Sequence, residues 1–413
     1  MSAVAEPPVE AGGPEGPARD TVAAYARRWW TDVKAGELGS LPIIVGLIVI
    51  ALVFQTQNDR LLTAGNFVNL IVQTAPYAVI AMGVTFALLL GEIDLSIGFV
   101  SGVGAVLVTL LLTPDGNEMA TAPAIALALL AGLGIGLLHG LIITKVGVPS
   151  FVVTLAGLLA WNGVVLLLIG SRGTVILQND FVVGLANDFM DPGLAWVLWA
   201  VCVGLYAAAQ LWRLRSRAKA GLANDPIVIV VARIAALAII LAVVVAVANQ
   251  DRGIPFVGIL VAALLVVWTY VLNRTRFGRH VYAVGGNAEA ARRAGINVDR
   301  VKIACFMIVS CMAVLGGIIL ASRLRSVDTN TGGGQALLYP IAAAVIGGTS
   351  LFGGRGTMKA ALLGAIVMIS IDNGLGLLGL SSGTKFVVTG GVLLLAVTVD
   401  SISRRGRAQS GRA

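Results

Sequence analysis

Two carboxylates, Glu92 and Asp94, stand within the stretch GEIDLSIG (91–98), between two apolar segments. A bare carboxylate at membrane depth is costly, so such residues are functional candidates by default. In the alternative interpretation, Asp94 caps a helix that begins near Leu95, and Glu92 lies in water at the inner face. Both interpretations can hold together, because the end of a broken helix can line a polar path.

A second candidate lies in the charged stretch 274–300, RTRFGRHVYAVGGNAEAARRAGINVDR. Here Asn287 can cap a short helix of good helix formers. Glu289 falls in its first turn, where a carboxylate suits the helix dipole, and Gly295 is placed to end the helix. The stretch therefore predicts a two-turn cytoplasmic helix that could dock a partner, and an ordinary interhelical loop is the alternative.

Other kinds of chemistry find little support in the sequence. The three cysteines lie in apolar runs, which argues against a disulfide framework, and two histidines exclude most histidine-ligated metal and haem sites. The glycine-rich stretch 347–357 lacks the Lys-Ser/Thr pair of a phosphate-binding P-loop, and no predicted strand precedes it. We therefore predict no metal site, no bound cofactor and no catalytic residue.

The composition predicts the elements that position these residues. Of the 413 residues, 57% are hydrophobic and only 12% are charged, whereas soluble domains average about 25% charged. The mean hydropathy is +0.92, and the 51 glycines are typical of membrane helices, in which small residues permit close approach. The sequence therefore predicts an all-α, polytopic membrane protein.

A helix needs about 20 mostly apolar residues to cross a bilayer, and the chain offers twelve such segments. They are 41–56, 68–90, 97–113, 122–144, 151–170, 194–211, 227–249, 254–273, 301–321, 337–350, 358–372 and 384–400. Segment 337–350 is the weakest, because it is short and contains Pro340. We expect it to cross rather than to re-enter.

The basic residues predict the orientation of these spans. With the N-terminus inside, 23 of the 29 lysines and arginines fall on inner stretches, as the positive-inside bias requires. Both termini are then cytoplasmic. Residues 1–40 are expected to form a disordered N-terminal tail, 41–403 the transmembrane domain and 404–413 a basic C-terminal tail. Because the net charge of +8 follows this topology, we expect no nucleic-acid partner.

Several motifs carry a resemblance to a known family. Glu289-Ala290-Ala291, followed after three residues by Gly295, resembles the EAA loop of the permeases of ABC importers. The surrounding stretch and four others, in the same order along the chain, are similar to the monosaccharide branch of that family. These stretches are 91–98, 145–163, 285–298, 347–357 and 371–380. The long region 171–250 looks most like the D-xylose permeases. One departure is Leu338-Tyr339-Pro340, where family members often carry an acidic residue.

The resemblance implies the membrane-spanning subunit of an ATP-driven importer in the bacterial cytoplasmic membrane. Its substrate would be a monosaccharide, D-xylose or a related pentose or hexose. In that family the EAA helix docks on a separate ATP-binding subunit, which uses the ATP. The implied coupling residues are therefore Glu289, Ala290, Ala291 and Gly295. A second permease copy and an extracytoplasmic sugar-binding protein are the other implied partners.

The implied sugar path draws on side chains that can bond hydroxyl groups. The candidates are Glu92, Asp94, Asn162, Asp372 and Asn373. For Asp372 and Asn373, which precede a glycine, a capped turn at a helix end is the alternative. For the whole chain the alternative is an ion-coupled secondary transporter with twelve helices. Such a transporter needs charges deep in its helices, and these are nearly absent here.

Overall fold

The computed structural model describes residues 27, 30, 41–114, 118–222 and 224–409. Its helices of six or more residues are α1 (Leu41–Gln57), α2 (Ala64–Leu89), α3 (Ile97–Leu111), α4 (Thr121–Leu141), α5 (Ser150–Ile169), α6 (Asp180–Asn187), α7 (Pro192–Lys219), α8 (Ile227–Ala248), α9 (Phe256–Arg274), α10 (Arg276–Gly286), α11 (Ala288–Arg293), α12 (Val298–Leu324), α13 (Gln335–Ile346), α14 (Met358–Leu377) and α15 (Ser382–Gln409). Short strands are β1 (Thr174–Ile176), β2 (Phe189–Met190), β3 (Ile254–Pro255) and β4 (Ser326–Asp328).

The predicted all-α, polytopic fold is confirmed. Each of the twelve predicted segments coincides with a helix. Within the described ranges, eight helices are long and apolar enough to cross a membrane, and α1, α3 and α13 are shorter apolar helices. Of the remaining helices, α6, α10 and α11 lie between predicted segments, and α15 coincides with the predicted segment 384–400.

Helix α12 is the centre about which α2, α3 and α4 pack. One face of α4 carries Gly132, Gly136 and Gly140, and a Cβ at Gly136 would overlap the backbone of Phe306 on α12. Such small residues let two helices approach closely where lipid offers no hydrophobic drive for their association. Dispersion contacts between closely packed helices therefore hold this centre together.

Helix α12 also fixes which ends of the helices meet. Gly83 of α2 lies against Met312, and Gly316 lies against the earlier Pro76. The two helices are therefore antiparallel, and the C-terminal end of α12 lies at the N-terminal end of α2. At that end β1 pairs antiparallel with β4, and β2 pairs with β3.

The weakest predicted segment, 337–350, coincides with the short helix α13, and a non-helical stretch precedes it. After β4, residues 329–334 run inward along α3, where a Cβ on Gly98 would overlap the carbonyl oxygen of Gly332. Only then does α13 begin, and the turn after it reaches the C-terminal end of α2, where the Gly354 N–H donates to the Leu89 carbonyl at 2.8 Å. Residues 329–354 thus pass from one end of α2 to the other, and only the part from Gln335 to Ile346 is helical.

Residues 192–246 form a compact unit of their own, made of α7 and most of α8. Within it the indole N–H of Trp199 donates to the Ala238 carbonyl at 2.9 Å. Arg233 pairs with Asp225 at 2.8 Å, close to the connection between the two helices.

The structure describes little of the predicted N-terminal tail and most of the predicted C-terminal tail. Apart from residues 27 and 30, the expected N-terminal tail of 1–40 lies outside the described residues. Helix α15 continues to Gln409, so most of the stretch 404–413 is helical where a tail was expected, and 410–413 lie outside the described residues.

Candidate functional site

Helix α11 has the ends that the sequence predicts. The Asn287 side chain accepts a hydrogen bond from the N–H of Ala290 at 2.9 Å, which satisfies one free donor of the first turn. At the other end Gly295 has φ +83°, and the N–H of Ile296 donates to the Ala291 carbonyl at 3.0 Å. This is a Schellman stop, so both predicted ends of the helix are confirmed.

The surface of α11 decides which of its residues a partner could meet. Ala290 and Gly295 are exposed, and the Glu289 side chain is 59% exposed. Glu289 pairs with Arg292 at 3.5 Å and with Arg293 at 3.3 Å on its own helix. Ala291 is buried. Three of the four predicted coupling residues therefore face outward, and Ala291 fixes the helix to the protein beneath it.

A further helix, α10, precedes α11 and was missed by the sequence analysis. Its N-cap is Thr275, whose hydroxyl accepts from the N–H of Gly278 at 3.1 Å. The signal was present, because Phe277, Val281 and Val284 recur at helical spacing. Tyr282 donates to the Gly356 carbonyl at 2.8 Å, and burial raises the pKa of Tyr282, which keeps the phenol protonated as a donor.

Asp94 holds the turn that leads into α3. One of its carboxylate oxygens accepts from the N–H of Ser96 at 2.9 Å and from the Ser96 hydroxyl at 2.6 Å. The side chain is 3% exposed, and its other oxygen has no hydrogen-bond partner among the described residues. Next to Ser96 lies the buried His139, which accepts from the indole N–H of Trp161 at 3.1 Å.

Glu92 does not lie in water, so that interpretation is wrong. Its side chain is 15% exposed and forms an ion pair with Lys302 on the first turns of α12. The two residues are 210 positions apart, so no local pattern could show the partner.

At the other end of α2, Asp372 and Asn373 lie inside α14, which continues to Leu377. The interpretation of a capped turn at a helix end is therefore wrong. Tertiary packing overrides the turn preference of Asn-Gly, because Gly374 lies directly beneath the ring of Phe54 on α1.

Asp372 joins a small polar network with α13. One carboxylate oxygen accepts from the hydroxyl of Tyr339 at 3.0 Å and from the amide of Gln335 at 3.1 Å. Tyr77 of α2 donates to the Gln335 carbonyl oxygen at 3.4 Å, and its ring lies 5.6 Å from that of Tyr339. The start of α13 carries no acidic residue of its own, but it meets the carboxylate of Asp372 through Tyr339.

Asn373 points to different partners. It exchanges two hydrogen bonds of 3.0 Å with Asn66 and donates to Gln73 at 3.4 Å. Asn66, Gln73 and Tyr77, together with Asn69, are spaced along a single face of α2. The sequence analysis missed this polar stripe, which the helical spacing of its members could have revealed.

A cavity of about 610 Å³ opens at the N-terminal end of α2, a size typical of sites for small molecules. Its lining includes Asn66 and Asn69 of the polar stripe and the ion pair Asp251–Arg252. The lining also includes Arg60, and the amides, hydroxyls and carboxylate of the polar network below the cavity can bond a ligand with several hydroxyl groups. Among the described residues, no group of three or more His, Cys, Asp or Glu could hold a metal.

Asn162 is not brought to these residues. It is half-buried on α5, which packs chiefly on α3, whereas α14 packs on α13, α2 and α1. The predicted path residues thus fall into three places. Glu92 and Asp94 lie at the C-terminal end of α2, Asp372 and Asn373 lie towards its N-terminal end, and Asn162 lies apart on α5.

Comparison with known proteins gives a family match over most of the chain. Residues 66–397 match the family described as "Branched-chain amino acid transport system / permease component". The xylose transport system permease protein XylH of Escherichia coli (strain K12) is 36% identical over 384 residues, covering 91% of this chain and 95% of that protein. The Haemophilus influenzae XylH is 32% identical, with 90% and 99% covered. The ribose import permease protein RbsC of E. coli (strain K12) is 31% identical, with 92% and 98% covered. No solved structure matches.

Proposed function

We propose that this chain, which belongs to the family of branched-chain amino acid transport system permease components, imports D-xylose or a closely related pentose. The chain is the membrane-spanning permease subunit of a sugar importer of the ABC type. It is a transporter subunit and not an enzyme, and a separate subunit hydrolyses the ATP. The relatives named for xylose at 32–36% identity support a pentose rather than an amino acid as its substrate.

The observation that carries the mechanism is the exposed helix α11. It is capped at both ends, and it lies between the predicted segments rather than within one. We assign to it the docking of the ATP-binding subunit through Glu289, Ala290 and Gly295, with Ala291 as the inward anchor. In this orientation the C-terminal end of α2 faces the cytoplasm, and both chain termini lie on that side.

The opposite end of α2 then faces outward, where an extracytoplasmic sugar-binding protein delivers its ligand. The cavity bounded by Asn66 and Asn69 is open there, and the polar stripe of α2 continues from it towards Tyr77. Asp372 and Asn373 contribute to this polar region, whereas Asn162 lies apart from it on α5. We further propose that two copies of the permease assemble in the cytoplasmic membrane of the cell.

Uptake of labelled sugars tests the substrate. Cells with the gene should accumulate labelled D-xylose faster than cells from which it has been deleted, and a plasmid copy should restore the rate. Labelled ribose and glucose serve as comparisons in the same strains. Equal xylose uptake with and without the gene, alongside a loss of ribose or glucose uptake, would move the assignment to that sugar.

A further inference from the structure

Both ends of α11 connect to the same short segment, residues 89–96, which comprises the last residue of α2 and the turn into α3 and is called the α2–α3 turn below. On the N-terminal side the connection runs through the end of α10, and on the C-terminal side it runs through α12. A helix that docks a partner can transmit a displacement only through contacts that are stiffer than an ordinary loop. Two such contacts meet at this turn.

The first contact is backbone against backbone. A Cβ at Gly285, the residue two before the Asn287 cap, would overlap the carbonyl oxygen of Leu89. The N–H of Gly354 donates to that same carbonyl at 2.8 Å, and a Cβ at Gly353 would meet the backbone N of Gly91 at 3.0 Å. Three chain segments thus pack backbone against backbone, with no side chains between them. They therefore have little room to move relative to one another.

The second contact is the ion pair between Glu92 and Lys302. The side chains are 15% and 23% exposed, so water screens the pair far less than it screens a surface pair. Lys302 follows Gly295, the stop of α11, by less than two helical turns of chain. Removing one partner of such a pair leaves a poorly compensated charge.

We propose that the Glu92–Lys302 pair and the Gly285–Leu89 contact couple displacement of α11 to the α2–α3 turn, so that Glu92 and Lys302 are positioning residues for transport. This inference rests on the proposed docking of the ATP-binding subunit at α11. The turn leads directly into α3, whose Gly98 and Gly102 lie against the backbone of residues 331 and 332 just before α13. Movement of the turn therefore has a contiguous route to the non-helical stretch before α13.

The test uses the complete importer, reconstituted with its ATP-binding subunit and sugar-binding protein. The variants are Glu92→Gln, Lys302→Gln and the charge swap Glu92→Lys with Lys302→Glu. The readouts are co-purification of the ATP-binding subunit, ATP hydrolysis, and sugar transported for each ATP hydrolysed. Each single variant should keep the bound ATP-binding subunit, because α11 is unaltered. It should lower the transport-to-hydrolysis ratio by about tenfold, which is within the range by which residues along a coupling route change the coupling between two sites. The charge swap should recover a large part of the ratio.

The matched control is Lys145→Gln. Lys145 pairs with Asp299, also near the start of α12, at 2.7 Å, but its side chain is 59% exposed. Solvent screening makes such a pair weak, so this variant should keep the wild-type ratio. Gly285→Ala tests the backbone contact separately, because the added Cβ would overlap the Leu89 carbonyl and displace α10 from the end of α2, and it should lower the ratio.

Two results would overturn the inference while leaving the proposed function intact. One is a wild-type transport-to-hydrolysis ratio in both single variants. The other is lower yield or thermal stability with an unchanged ratio, which would make the pair purely structural. If the wild-type complex itself transports no sugar on addition of ATP, the proposed function fails instead.

Discussion

Asn66 on the first turn of α2 and Asn373 near the end of α14 exchange two hydrogen bonds of 3.0 Å, although 307 positions separate them. Both side chains are buried. Each amide therefore satisfies the other in a place where water is scarce. The pair joins the wall of the open cavity to the helix that carries Asp372.

Asn373→Ala should destabilise the protein, because it leaves the buried amide of Asn66 without its partner. A loss of about 1–3 kcal/mol in unfolding free energy is expected for such an unsatisfied group. Thermal unfolding in detergent measures the change. The double variant Asn66→Ala with Asn373→Ala should cost less than the sum of the two single variants, and strict additivity would show that the pair contributes no coupling.

Asp372→Ala removes the acceptor shared by Tyr339 and Gln335 and should reduce sugar uptake severalfold. The amide in Asp372→Asn keeps an acceptor oxygen, so this variant should retain more uptake than the alanine variant. Co-purification of the ATP-binding subunit should stay at the wild-type level in both, since α11 lies at the other end of α2. Unchanged uptake kinetics in Asp372→Ala would remove this residue from the proposed sugar path.

Gly295→Ala should weaken the association with the ATP-binding subunit. The φ of +83° costs a residue with a Cβ about 1–2 kcal/mol, although no atom lies within 4 Å of the added carbon. Gly286→Ala is the matched control, because its Cβ also meets no atom and its φ is not positive. Pull-down of the ATP-binding subunit compares the two variants. If both variants pulled down the wild-type amount of the ATP-binding subunit, the end of α11 at Gly295 would have no role in docking.

The proposed orientation can be tested by labelling single cysteines in intact cells. After replacement of the native Cys202, Cys305 and Cys311, a membrane-impermeant thiol reagent should label Ser381→Cys. The same reagent should leave Ala290→Cys unlabelled until the membrane is opened. Labelling of Ala290→Cys from outside would contradict the proposed orientation and support the reverse one.

Structural features that depend only on neighbouring residues were predicted well from the sequence. The cap at Asn287 and the stop at Gly295 depend on neighbours within the same helix, so the sequence contains all the information needed to place them. The twelve apolar segments likewise mark their own helices, because length and hydropathy are properties of each segment. Helix α10 was not predicted, although its apolar residues recur at helical spacing between charged ones.

Long-range partners could not be predicted from one sequence. Nothing near Glu92 points to Lys302, so the sequence left open an interpretation in which Glu92 is solvated, whereas it forms a largely buried ion pair. The turn preference of Asp372-Asn373-Gly374 was outweighed by the packing of α14 on α1 and α2, which becomes visible only when the helices are assembled. The break before α13 has the same origin, since residues 329–334 are held by contacts with α3.

We propose that this chain moves a pentose at the expense of ATP hydrolysed by a partner docked on α11. Proteoliposomes holding the chain with its ATP-binding subunit, and supplied with the sugar-binding protein, test it directly. We expect labelled D-xylose to be transported only when ATP reaches the ATP-binding subunit, and transport to fall sharply with Gly295→Val. Transport by the chain alone, driven by a proton or sodium gradient and indifferent to ATP, would contradict the account and favour an ion-coupled transporter.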